Sequence, residues 1–146
     1  MVEECGDMPK KDIGYLIKNI NDKLKVNADA DLKHYNLTLA QGRVLAFLKN
    51  KGGSATQKEI EVFLEVSHPT VVGIVSRMEH NGHVITWIDK ADKRNKIVKL
   101  TEQAEIIGQD MEQNILDNER KMLTSLTPTE IEQLRRMLAI IYKNLE

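Results

Sequence analysis

Residues 66–82 read VSHPTVVGIVSRMEHNG, and this stretch decides the fold. Ser67 stands where a helix N-cap would lie. Pro69 suits the first turn after it, because a first turn leaves its N–H groups unpaired in any case. Apolar residues then recur at the spacing of one helical face, at Val71, Ile74, Val75 and Met78. Asn81-Gly82 ends the pattern as a helix C-terminus does, so the segment predicts a short amphipathic helix with a polar outer face.

Two more short helices are predicted immediately upstream. Thr56 and Glu59 have the spacing of a capping box and open a helix that carries Ile60, Phe63 and Leu64. Thr38 and Gln41 form a second capping box, and their helix stops at Gly52-Gly53. Its inward residues are expected to be Leu39, Val44, Leu45 and Leu48. Three short helices joined by tight turns therefore span residues 39–81.

The pattern changes to strand after Gly82. Residues 84–88, VITWI, are rich in β-branched and aromatic side chains, and residues 97–100, IVKL, read as the partner strand. The polar loop between them, at residues 89–96, is longer than a tight hairpin turn. Two short helices within residues 56–81 are what a helix-turn-helix requires, and the hairpin after them makes a winged helix with its wing tip at 89–95.

Long helices are predicted on both sides of this region. From residue 10 to about residue 34, apolar side chains follow helical spacing at Ile13, Leu16, Ile17, Ile20, Leu24 and Ala28. After the second strand, Thr101 can cap one long helix, and Thr127-Pro128 with Glu130 opens a last one. The predicted fold is mainly α: a winged helix-turn-helix with long N- and C-terminal helices and one β-hairpin wing.

Charge is unevenly distributed along the 146 residues. Lys and Arg total 21 and Asp and Glu total 22, so the net charge of −1 does not by itself point to nucleic acid. From Thr86 to Lys99, however, five basic and two acidic residues give a local charge of +3, which leaves −4 for the rest. A basic edge on an acidic body predicts weak non-specific DNA binding rather than none.

Several motifs resemble those of MarR-type regulators, the multiple-antibiotic-resistance family of dimeric winged helix-turn-helix repressors. The matching segments occur in the family's order: Leu37-Thr38-Leu-Ala-Gln41, Val66 to Val71, Ser76-Arg77-Met78-Glu79, Asn81-Gly82, Asp92-Lys-Arg94 and Leu100-Thr101. The resemblance runs over nearly the whole chain and is strongest from Thr38 to Thr101.

The resemblance implies a domain plan and partners. Residues 1–9 would form a flexible tail, residues 10–36 and 101–146 dimerisation helices, and residues 37–100 the DNA-binding region of one compact chain. The implied partners are double-stranded DNA at a pseudo-palindromic promoter site, a second copy of the chain, and a small amphipathic effector that relieves binding. A dimer also agrees with the sequence, since a three-helix core is too small to cover the apolar faces of all the long helices.

Candidate DNA contacts lie in three places. A basic loop can place ammonium groups on phosphates and a guanidinium in the narrow minor groove, although a solvated hairpin tip is the simpler alternative. The resemblance gives Arg94 the minor-groove role and Asp92 that of orienting the wing. The full candidate set comprises Gln57 and Lys58 before the turn; Ser67, His68, Thr70, Val72, Gly73, Ser76 and Arg77 on the outward helix face; and Lys90, Asp92, Lys93, Arg94 and Lys96 in the wing.

An effector pocket in the crevice between the winged helix and the dimerisation helices is implied by the resemblance. Its candidate residues are Tyr15, His34, Tyr35 and Phe47, for each of which core or interface packing is the alternative.

Other function classes have little support. No phosphate-binding glycine loop, nucleophile elbow or acid–base pair points to an enzyme, and no cofactor is expected. His80 and His83 are three residues apart, but a zinc site needs more ligands, so no metal is expected. Cys5, in an acidic tail, is expected to be a bystander thiol rather than a redox sensor. The absence of a secretory signal and of a long apolar run predicts a cytoplasmic protein without a membrane span.

One alternative function remains open. Val72 and Gly73 stand where relatives often carry hydrogen-bonding side chains, and neither can make a bidentate base contact. Together with the near-neutral net charge, they leave room for a winged-helix protein-interaction module without specific DNA binding.

Overall fold

A computed structural model describes residues 12–146 of the chain. The chain divides into two compact units, one ending at Gly108 and the other running from Gln109 to Glu146. The predicted tail at 1–9, with Cys5, and residues 10 and 11 of the first predicted helix lie outside the described residues.

The described elements follow the predicted order with one addition. They are α1 (Ile13–His34), α2 (Leu39–Asn50), β1 (Ser54–Thr56), α3 (Gln57–Leu64), α4 (His68–His80), β2 (Val84–Ile88), β3 (Lys96–Leu100), α5 (Glu102–Met122) and α6 (Pro128–Asn144). The boundary between the two units falls within α5. Among these described helices, none is long and apolar enough to cross a membrane.

The starts of α2 and α3 are fixed by threonine caps. Thr38 Oγ1 accepts a hydrogen bond from the Gln41 N–H at 3.2 Å, and Gln41 Oε1 accepts from the Thr38 N–H at 3.1 Å, which confirms that capping box. Thr56 Oγ1 likewise accepts from the Glu59 N–H at 3.1 Å. The carboxylate of Glu59, however, accepts from the Thr56 hydroxyl at 3.2 Å rather than from its backbone, so the second predicted box is only half formed.

The sheet has three strands rather than the predicted two. Its order is β1-β3-β2, with both pairs antiparallel. The strand that sequence reasoning missed, β1, pairs Ala55 with Val98, while Thr86 of β2 lies on the other side of Val98. Val98 is fully buried, so the sheet joins the hairpin to the helices through its central strand.

The core of the first unit is aliphatic. It contains Val44, Leu45, Leu48, Ile60, Val71, Val75, Met78, Val84, Val98, Leu100 and Ala104. Two residues predicted to point inward do not belong to it. Leu39 is 59% exposed, because at 100° per residue it lies on the opposite side of α2 from Val44 and Leu48. Ile74 is only half-buried, because it lies at the edge of the buried α4 face.

The apolar stripe of α1 is mostly uncovered. Ile13 is 62% exposed and Ile20 is 51% exposed, and among the residues of this helix only Leu32 is buried. Leu32 packs against Gly42 of α2 so closely that a Cβ at Gly42 would lie 2.6 Å from its Cδ2 atom. Within the first unit, α1 is therefore anchored at its C-terminal end.

The second unit is a helical hairpin formed by the end of α5 and by α6. The predicted capping box is confirmed: Thr127 Oγ1 accepts from the Glu130 N–H at 3.2 Å, and Glu130 Oε1 accepts from the Thr127 N–H at 3.0 Å. Hydrogen bonds from the backbone and the side chain of Thr127 lower the pKa of the Glu130 carboxyl. No residue of α6 is buried, and Leu138 and Ile140 are about half exposed.

Candidate nucleic-acid interface

The N-terminus of α4 is presented by a tight turn after α3. Glu65 ends α3 with a left-handed backbone (φ 55°), two residues before Ser67 caps the next helix. Ser67 Oγ accepts from the Thr70 N–H at 3.4 Å and lies 2.8 Å from the Thr70 hydroxyl. Pro69 occupies the first turn as predicted. The remaining free N–H groups of this turn form the kind of site that attracts phosphate oxygens.

The outward face of α4 is polar and open. Val71, Val75 and Met78 are fully buried, which leaves the candidate DNA contacts of this helix on its outer side. The exposed members are Ser67, His68, Thr70, Val72, Ser76 and Arg77. A Cβ built at Gly73 would meet nothing within 4 Å, so the backbone there faces open space. A helix of this size and polarity suits the major groove of B-form DNA.

The wing tip is held by short-range hydrogen bonds to two aspartates. Asp89 Oδ1 accepts from the Ala91 N–H at 3.0 Å. Asp92 Oδ1 accepts from the Arg94 N–H at 3.1 Å and from Arg94 Nε at 3.0 Å, while Asp92 Oδ2 accepts from Arg94 Nη2 at 3.2 Å. The Arg94 guanidinium lowers the pKa of the Asp92 carboxyl. The Arg94 side chain remains 90% exposed, so it is oriented without being withdrawn from solvent. Lys90 and Lys93 are also exposed.

A groove of about 480 Å³ separates α4 from the wing and brings together six of the candidate residues. It is lined by Gln57, Lys58, Glu61, His68, Val72, Ile88, Arg94, Asn95 and Lys96. Three of these side chains, Lys58, Arg94 and Lys96, are permanently cationic near neutral pH, against one carboxylate, Glu61. Gln57 is 7% exposed, and its Oε1 atom has no hydrogen-bond partner among the described residues. The concave surface is therefore cationic and suits a phosphate backbone.

Ser76 and Arg77 lie in a different groove. They line a concave surface of about 350 Å³ with Gln41, His80 and Asn81. The candidate contacts of α4 are thus divided between its two flanks, with the wing bordering only one of them.

The four candidate effector residues do not lie in one place. His34 and Tyr35 contact each other edge to face, with ring centroids 5.0 Å apart, and Tyr15 is 46% exposed on α1. Phe47 instead stacks on Phe63 of α3, with ring centroids 4.5 Å apart. This aromatic pair lies in a groove of about 410 Å³ that also includes Lys51, Lys58, Glu59 and Val62.

His80 and His83 have different surroundings. His80 is exposed, whereas His83 is 3% exposed in the turn before β2 and its Nδ1 atom has no partner among residues 12–146. Burial lowers the pKa of the His83 imidazole. Within the described residues, no group of three or more His, Cys, Asp or Glu side chains could hold a metal ion.

Two side-chain contacts made by α4 were missed by sequence reasoning. The Nδ1 atom of His68 is hydrogen-bonded to the Glu61 carboxylate, and the Thr86 hydroxyl donates to the Glu79 carboxylate. Both join residues seven positions apart across a change of element, for which neither helical nor strand periodicity gives a signal.

The chain is similar to known regulators over most of its length. The model of the MarR family matches residues 35–95. The uncharacterized HTH-type transcriptional regulator YwoH of Bacillus subtilis (strain 168) is 32% identical over 124 residues, which cover 81% of this chain and 87% of YwoH. The HTH-type transcriptional repressor IacR of Pseudomonas putida is 27% identical over 132 residues, or 90% of this chain and 78% of IacR.

The fold is also similar to that of a regulator solved with DNA. In the crystal structure of the S. aureus MepR–DNA complex, the MepR chain is 25% identical to this one, with a TM-score of 0.76. The match covers 91% of this chain and 99% of that one. The predicted family resemblance and the predicted winged-helix fold are therefore confirmed.

Proposed function

The chain belongs to the MarR family of transcription regulators, and from this premise we propose that it is a homodimeric transcription repressor that binds a pseudo-palindromic promoter site sequence-specifically. One observation carries the proposal: the polar face of α4 and the guanidinium of Arg94 border the same cationic groove. In this arrangement α4 enters the major groove and the wing reaches the neighbouring minor groove. Such a function implies a cytoplasmic protein that is not an enzyme.

The contacts of this interface divide between those that position the protein and those that read the sequence. Lys58, Lys90, Lys93 and Lys96 supply phosphate contacts, which fix the register without reading sequence. Val72 contacts a thymine methyl group, and Gly73 admits the DNA backbone or base edge closely. Because neither makes a bidentate base contact, the minor-groove shape read by Arg94 contributes much of the specificity.

The dimer is supported by the uncovered apolar faces of the long helices. Ile13, Ile20, Leu138 and Ile140 are each about half exposed or more, which is costly for a monomer in water. Pairing two chains about a two-fold axis would set the two α4 helices about 34–36 Å apart, one turn of DNA. Sedimentation equilibrium gives the mass directly, and a stable 16.7 kDa species at micromolar concentration would refute the dimer.

We also infer that a small amphipathic effector relieves DNA binding. The groove beside Phe47 supports this inference, because its volume of about 410 Å³ falls within the range of small-molecule sites and an aromatic pair lines it. Tyr15, His34 and Tyr35 remain candidate effector contacts outside this groove.

Binding to the DNA upstream of the chain's own gene tests the function. Fluorescence anisotropy over a salt series should show specific binding that weakens steeply with salt, with a slope set by the number of phosphate contacts. Arg94→Ala should weaken specific binding and reduce the salt slope by about one per chain. Arg43→Ala is the matched control, because Arg43 lies 5.3 Å from the Phe63 ring centroid and outside the groove lined by Arg94.

Two results would contradict the proposal. The first is the absence of site-specific binding at low salt, which would favour a protein-interaction module. The second is an equal effect of the Arg94 and Arg43 substitutions, which would remove the wing from the interface.

A further inference from the structure

The proposed DNA interface contains an ion pair between His68 and Glu61. His68, the first residue of α4, has a 69% exposed side chain, while that of Glu61 on α3 is only 18% exposed. The carboxylate of Glu61 thus lies at the floor of the groove between α4 and the wing, and the imidazole lies above it, toward solvent. Among residues 12–146, His68 is the only hydrogen-bond or ion-pair partner of the Glu61 carboxylate.

The atom that makes this contact determines what His68 offers to DNA. Because Nδ1 faces an ionised carboxylate, which can only accept, the proton of a neutral ring must be on Nδ1. The outward Nε2 atom then carries a lone pair and repels a phosphate oxygen. A second proton, on Nε2, turns the same atom into a donor and gives the ring a positive charge that both anions stabilise.

We propose that Glu61 is a positioning residue that holds His68 for proton-coupled recognition of a DNA phosphate. This role rests on the proposed function. On binding, the neutral imidazole takes one proton from solvent at Nε2. The imidazolium then donates from Nδ1 to Glu61 and from Nε2 to the phosphate. DNA affinity therefore falls as pH rises through the range in which histidines titrate.

The other charged groups around His68 do not account for this pH dependence. The groove presents Lys58 and Glu61 from α3, and Arg94 and Lys96 from the wing. Lysine and arginine stay charged between pH 6 and pH 8, so they set the salt dependence but not the pH dependence in that range. Gln57 also lines this groove, and its buried Oε1 atom has no hydrogen-bond partner within residues 12–146.

The free protein gives the first readout, which needs no DNA. Correlation spectra of the ¹⁵N-labelled imidazoles at pH 8 should show His68 as the Nδ1–H tautomer. Circular dichroism should show that the Glu61→Gln variant retains the fold. If His68 is the ordinary Nε2–H tautomer, the proposal is overturned, whatever the DNA result.

The second readout is the number of protons taken up when the protein binds its upstream DNA. Titration calorimetry at pH 7.5 in buffers of different ionisation enthalpy should give up to about one proton per bound chain, because that is what a single linked site contributes. His68→Gln should remove this uptake. His80→Gln, at the opposite end of α4, should leave it unchanged.

Glu61→Gln separates positioning from a structural role. The amide still accepts from Nδ1–H but no longer stabilises the imidazolium, so the pH at which DNA affinity starts to fall should move down by about one unit. A structural role would lower affinity equally at every pH. Salt-dependent DNA binding without proton uptake, or with uptake lost in His80→Gln instead, overturns the inference and leaves the function intact. Absence of DNA binding overturns both.

Discussion

Gly73 allows the stability and the proposed function of α4 to be tested with one substitution. The residue lies in the interior of α4 and is not among the glycines with positive φ, so its backbone suits any residue. A Cβ there would meet nothing within 4 Å. Gly73→Ala should therefore stabilise the free protein by about 0.8–1 kcal/mol, the difference in helix propensity between the two residues. For a chain of this size the melting temperature should rise by about 2–4 °C.

The same methyl group should impair DNA binding. It would project from the outward face of α4, where we propose that the backbone approaches the duplex, so we expect specific affinity to fall by about tenfold or more. Urea denaturation at a fixed protein concentration measures stability, and fluorescence anisotropy measures binding to the upstream site. A variant that is both more stable and weaker in binding would show that the glycine favours DNA recognition and lowers the stability of the helix.

Gly52 provides the matched control. A Cβ at Gly52 also meets nothing within 4 Å, but its φ is +84°. Gly52→Ala should therefore destabilise the protein by about 1–2 kcal/mol, because the left-handed region disfavours side chains. If Gly73→Ala is destabilising, or if the two substitutions have the same sign, the reasoning from backbone geometry is refuted.

Three further predictions concern other parts of the chain. Gly42→Ala should destabilise the protein by about 1–2 kcal/mol, since its Cβ would lie 2.6 Å from Leu32 Cδ2. Thermal melts should show that Leu32→Ala lowers stability less in the Gly42→Ala variant than in the wild type. Because burial lowers the pKa of His83, the unfolded state binds more protons, and the free energy of unfolding should decrease as pH falls from 7 to 5. In urea titrations at several pH values, the free energy of unfolding of His83→Gln should decrease less over this range. An unchanged pH dependence in the variant would contradict the role of His83. Arg94→Lys keeps the charge but not the two-atom contact with Asp92, so anisotropy should show affinity reduced by about three- to tenfold with the salt slope retained, and a slope reduced by one would count against it.

The start signals of α2, α4 and α6 were read correctly from the sequence because they act within four residues. Thr38 and Thr127 form the predicted capping boxes, and Ser67 begins α4 where predicted. The strand at 84–88 also has the predicted bounds, since its β-branched and aromatic residues stand between a glycine and a polar loop.

The features that sequence reasoning missed depend on distant residues. The strand β1 contains only Ser54, Ala55 and Thr56, too few for a periodic signal, and it exists because Ala55 pairs with Val98, more than forty positions away. The groove between α4 and the wing has the same origin. The wing contacts were predicted from local charge and from the family resemblance, but the contact of His68 with Glu61 depends on the turn at the left-handed Glu65 between α3 and α4.

The turn after α4 has one further consequence. The Thr101 hydroxyl donates to the carbonyl of Gly82 at 2.7 Å and accepts from the Ala104 N–H at 3.2 Å, while the Thr101 N–H donates to His83 O. One side chain thus joins the turn after α4 to the first turn of α5. We expect any reorientation of α5 at that turn to be transmitted to the C-terminal end of α4 without passing through the core. Thr101→Val, which keeps the shape but removes the hydroxyl, would weaken this coupling and leave only the backbone bond from residue 101 to His83 O.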